Sequence, residues 1–186
     1  MEDEDGVFRR TALLFRYGDL FYPSFVFRAV CDYLGVPPER IIVTPGKHIV
    51  LKGAARPGAS EPRDITIPID RHCDMIINFI GDWKRMTHYN CADIFRASDD
   101  RDELEMWAEE MKGRIVFVSD TFTGSSDEGP VPTDDKIQLC AFHANAMNTI
   151  LTESFLKALS KEQKICVEIA LLVIILLLSF KFKPLY

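Results

Sequence analysis

The chain has no basic surplus. Its 22 Lys and Arg stand against 28 Asp and Glu, a net charge of −6. A general nucleic-acid binder normally carries a basic face, so the balance argues against that class. No run of five like charges occurs, and the acidic opening Glu2-Asp3-Glu4-Asp5 reads as a solvated stretch. The five cysteines, Cys31, Cys73, Cys91, Cys140 and Cys166, are an odd number without a Cys-x-x-Cys pair. That argues against a zinc site, and neither a metal nor a cofactor is expected. No apolar stretch follows the N-terminus, so there is no signal peptide. No internal repeat is visible. Two common catalytic motifs are also missing. Gly124 and Gly129 have the spacing of a phosphate-cradling loop, but Pro130 and Val131 stand where Lys and Ser/Thr are needed. No Gly-x-Ser-x-Gly nucleophile elbow is present.

What is present suits one folded domain. The chain has 186 residues, 47% of them hydrophobic and 27% charged. Val7–Tyr17 reads as a strand ended by Gly18-Asp19. Pro23-Ser24 opens a helix whose apolar positions Val26, Ala29, Val30, Tyr33 and Leu34 fall at helical spacing, with Gly35 as its stop. Residues 41–43 and 48–51 form a hairpin around Pro45-Gly46. Residues 65–69 alternate like a strand, and Pro68 places it at an edge. Residues 75–80 make another apolar strand. Short helical spacing at 90–97 precedes a firmer helix over 100–111, stopped by Gly113. A strand over Ile115–Val118, parallel and buried, then leads through a polar loop into a helix over 142–156. The expected fold class is α/β, a mixed sheet flanked by helices, followed by a C-terminal transmembrane helix.

The loop RIVFVSDTFTGSSDEGPVP, residues 114–132, concentrates hydroxyls and carboxylates where a strand empties. Asp120, Thr121, Ser125 and Asp127 are its candidate ligand-binding groups. Their spacing matches no calcium loop, and turn-shaping is the plainer role for such residues. His143 and Asn145 join them at the start of the following helix. Asp120 with His143 gives an alternative reading as a membrane-tethered hydrolase, which requires the two to meet in a cleft. No nucleophile accompanies them, so no catalytic residue is assigned.

Ile165–Phe180, ICVEIALLVIILLLSF, is sixteen residues long, against the roughly 20 of a typical membrane span. Its core is apolar on every side, unlike a soluble helix. Lys161 and Lys164 precede it and Lys181 and Lys183 follow, so snorkelling lengthens the span. The lysines are too evenly divided to set an orientation.

The order of these segments resembles a known family. DEDGVFRRTALLFRYGDLFYPSFVFRAV, ITIPID, MIINFIGDW, GRIVFVSDTFTGSSDEGPVP and FHANAMNTILTESFL precede the apolar segment, and the series is similar to the type-two CHASE domain, the extracytoplasmic sensory module of bacterial cyclases and kinases. The resemblance implies a C-terminal portion of such a domain over 1–159, its N-terminal part missing, then linker and transmembrane helix over 160–186. It implies that residues before about 160 lie outside the cytoplasmic membrane and that Lys181-Phe182-Lys183 is cytoplasmic. The implied role is sensory, not enzymatic. A small-molecule or protein signal would be passed to a cyclase or kinase output domain not in this chain, with a homodimer in the full receptor. Where the family often has glycine after Ile-Pro-Ile-Asp, this chain has Arg71-His72-Cys73. Where a glycine commonly precedes the helix, it has Ala141. Ordinary backbone angles would tolerate both.

Overall fold

A computed structural model describes residues 3, 5–81, 83–120, 127–159 and 161–181. The chain divides into two compact units, Met1–Leu156 and Lys157–Tyr186.

In the first unit the alternation over Val7–Tyr17 gives two short strands instead of one. They are β1 (Arg10–Ala12) and β2 (Leu14–Tyr17), parted at Leu13. Leu13 is fully buried; its N–H donates to the Cys73 carbonyl at 3.0 Å and its carbonyl accepts from Ser24 N at 2.8 Å. The chain changes partners at this residue. The strand β3 (Leu20–Pro23) pairs with β2 across the Gly18-Asp19 turn, whereas β1 pairs with the distant Asp74–Ile76. Ser24 then caps helix α1 (Phe25–Tyr33), its Oγ accepting from Phe27 N at 3.3 Å.

Strands β4 (Ile41–Thr44) and β5 (His48–Ala54) form the expected hairpin, and β6 (Arg63–Pro68) adds the other edge. Ile49 pairs with Ile67 and Leu51 with Ile65, and all four side chains are fully buried. Each such burial contributes about 1.5–3 kcal/mol, which makes this sheet face a core wall. Pro68 ends the edge strand, where its missing N–H removes no ladder bond. Strand β7 (Asp74–Ile76) is shorter than the apolar run to Ile80.

Helices α2 (Cys91–Arg96) and α3 (Arg101–Met111) are capped by Asn90 and Asp100 and bury none of their own side chains. Trp107 meets Tyr89 edge-on at 5.1 Å instead of entering the core. Residues 115–118 correct the expectation of a parallel strand. Ile115 and Phe117 pack against the core and Val116 and Val118 are exposed, so the alternation holds, but no ladder forms. Every strand pair among the described residues is antiparallel, so the expected mixed sheet is replaced by small antiparallel ones.

Strands β8 (Glu128–Val131) and β9 (Asp134–Gln138) form the last hairpin. Phe8 N donates to the Pro130 carbonyl at 2.9 Å, and a Cβ on Gly129 would stand 2.4 Å from the Phe8 ring. Any larger residue at 129 would therefore displace the Phe8 ring. Helix α4 (Leu139–Leu151) follows, packs against α1, and buries Ala141, Ala146, Met147 and Ile150. It starts three residues before the expected 142 and stops at Leu151 instead of Leu156. Glu153 adopts φ +53°, and its carboxylate is held by Arg56 at 2.5 Å and by Arg63.

In the second unit, α5 (Lys161–Lys181) covers the expected membrane segment. Among the described residues no helix is long and apolar enough to cross a membrane. Glu162, Lys164 and Glu168 occupy its opening turns, so the uncharged stretch begins only at Ile169.

Candidate functional site

The residues singled out in the sequence take different places. Thr121 and Ser125 lie outside the described residues. Asp120 is exposed at the end of the extended segment 114–120. Asp127 precedes β8, and its carbonyl accepts from Leu139 N at 3.0 Å, which joins the loop to the first turn of α4. His143 is half-buried on that helix, its ring edge-on to Phe25 at 5.9 Å and to Phe142 at 5.5 Å. Burial lowers its proton affinity, and Asp127 partly opposes that. The His143 Nδ1 is buried and makes no hydrogen bond among the described residues. A general base oriented by Asp120 would need that nitrogen, or its partner, held by the carboxylate. The carboxylate whose charge bears on His143 is Asp127. The hydrolase reading gains no geometric support.

Asn145 is fully buried, and its amide is committed to backbone. Its Nδ2 donates to the Ala141 carbonyl at 3.0 Å, and its Oδ1 accepts from Ile80 N at 3.2 Å. One turn on, Thr149 Oγ1 accepts from Asn78 N at 3.0 Å. Two α4 side chains thus take the alternate N–H groups of segment 78–80 that a neighbouring strand would otherwise take. This explains why β7 ends early while its backbone stays satisfied.

A roomier apolar cavity lies elsewhere in the first unit. A space of about 410 Å³ opens between the β2–β3 hairpin, α1 and β4. Leu14, Phe21 and Pro23 line it from the hairpin, and Ile41 and Val43 from β4. Phe27, Arg28 and Cys31 face it from α1. Its volume falls within the roughly 300–1,000 Å³ of small-molecule pockets, and its lining is predominantly apolar with a single charged side chain, as such pockets are. Burial pushes the Cys31 thiol up to about 11, so it stays neutral and contributes as an apolar group. A smaller space of about 180 Å³ lies between Tyr33, residues 115–117 and α4.

Sequence reasoning missed this site because it followed one stripe of α1, Val26-Val30-Leu34 through Tyr33. Phe27 and Cys31 make a second stripe at the same helical spacing, and both are as buried as the first. That doubled apolar width was the available signal for a helix with one face on the core and another on a cavity.

A protein-family model described as the CHASE2 domain matches residues 1–180. No curated protein and no solved structure matches the chain.

Proposed function

Since the chain belongs to the CHASE2 domain family, a family of extracytoplasmic sensory domains, we propose that it is the sensory input module of a membrane-bound receptor and that its signal is received at the apolar cavity beside α1. The cavity carries the proposal because it is of small-molecule size and is bounded by α1, which packs on α4. Helix α4 is the element from which the chain continues through residues 152–160 into α5. A ligand that fits one arrangement of α1 better than another biases α4 by its differential affinity. In this reading α5 engages the cytoplasmic membrane and the output is a cyclase or kinase encoded beyond this segment. The exposed apolar side chains from Ile169 to Leu178 support a lipid environment for α5.

Cys91 is exposed, whereas Cys31 and Cys73 are buried, so the protein carries its own topology reporter. In intact cells expressing the full receptor with Cys140→Ser, Cys166→Ser and no other exposed cysteine, a membrane-impermeant maleimide labels Cys91 before lysis. Labelling only after the membrane is broken would overturn the extracytoplasmic placement.

A further inference from the structure

The cavity beside α1 has one charged side chain at its margin, and that side chain is under-used. Arg28 donates from Nε to Asp32 Oδ2 at 2.8 Å. It makes no other hydrogen bond among the described residues, and both terminal nitrogens retain their donors. The pair is more than half exposed, so Arg28 sits at the mouth and the apolar lining lies behind it. A guanidinium with an open fork prefers a carboxylate, which it grips through two parallel hydrogen bonds. Nothing inside the cavity asks for a second polar group, since Phe27, Val36 and Ile41 are apolar and the Cys31 thiol is neutral. From this charge complementarity and volume we propose that the cavity binds an amphiphilic monocarboxylate of medium chain length, its tail against Phe21, Ile41 and Val43 and its head on Arg28. The inference names the ligand class for the sensory reading above and rests on that reading only for its biological meaning, because binding is measured without any output.

The test uses the full chain in lipid nanodiscs and follows the thermal unfolding of the first unit while decanoate, decanol or decyltrimethylammonium is added. A ligand of the native state raises the midpoint in proportion to its affinity. Decanoate raises it, decanol less, and the ammonium least. Arg28→Gln is an exposed change that leaves the core intact. It weakens decanoate roughly tenfold while leaving decanol unchanged, as loss of one charge-assisted contact requires. Val43→Trp, at the partly exposed rim, fills the space and abolishes both responses. Octanoate, two methylenes shorter, binds up to about fifteenfold more weakly than decanoate, at roughly fourfold for each methylene lost from the pocket. Equal shifts for decanol and decanoate, or an Arg28→Gln protein that still prefers decanoate, overturn the carboxylate assignment. No shift with any amphiphile overturns the pocket, as does a Val43→Trp protein that responds like the wild type. These outcomes leave the topology test with Cys91 untouched. Conversely, binding with Cys91 labelled only after lysis would fault the sensory placement and not the site.

Discussion

At the scale of single residues, Cys73 shows how a side chain can stand where the backbone favours glycine. It adopts φ +65°, in the left-handed region, so the angles at Arg71-His72-Cys73 are not the ordinary ones the sequence allowed for. Ala141, at the other position where the family commonly has glycine, lies within helix α4 and needs no such angle. A non-glycine residue at such angles costs roughly 1–2 kcal/mol, and a β-branched one more. Cys73 already bears that cost, so Cys73→Val is expected to lower unfolding stability by the β-branched increment alone, on the order of 1 kcal/mol, read as a shift in the denaturant midpoint; an unchanged midpoint would contradict the strained turn. His143 gives a pH signature. Its folded proton affinity is lowered by burial from the ordinary 6.5. The unfolded chain then takes up the proton first, so stability falls as pH drops below about 6.5 and returns as pH rises. His143→Leu removes that component. The difference in stability between the two proteins should grow toward pH 5, measured by urea unfolding at a series of pH values. A parallel pair of curves would show that the imidazole titrates alike in both states.

At the scale of elements, α4 does two jobs that its apolar periodicity does not announce. Its buried face packs the core, and Asn145 and Thr149 replace a missing neighbour strand for segment 78–80. An unpaired buried N–H costs about 1–3 kcal/mol. Asn145→Ala is therefore expected to destabilise the fold by that order and to speed amide exchange at Ile80 selectively. Uniform exchange across the unit would mean the bond is not holding that segment. The β4–β5 hairpin, the start of α1 and the body of α3 were legible because their signals sit within a few residues of one another: Pro45-Gly46, Pro23-Ser24 before an apolar helix, and helical spacing stopped by Gly113. The strand over 115–118 was not, because alternation reports which side chains turn inward and says nothing of whether a second backbone lies alongside.

For the whole molecule, the coupling proposed here runs along the chain from α4 to α5. Inserting a flexible Gly/Ser stretch at Ser160 in the full receptor should leave ligand binding intact and abolish the response of the output domain, assayed as ligand-dependent product formation. A response that survives the insertion would mean the signal does not travel through that connection.

The order of the segments from DEDGVFRR to FHANAMNTIL was enough, with no coordinates, to place the chain in its family. Local chemistry was enough to place α1, the central hairpin, and α3. Those features depend on residues close in sequence, where spacing, caps and turn residues act directly. The break at Leu13, the left-handed turn at Cys73 and the early end of β7 depended on partners far along the chain. Cys73 and Ser24 flank Leu13, and Thr149 meets Asn78 across 71 positions. The cavity was decided in the same way. Its walls come from a hairpin, a helix and a strand that share no local pattern, and the space exists only because packing them together leaves Arg28 at an apolar mouth.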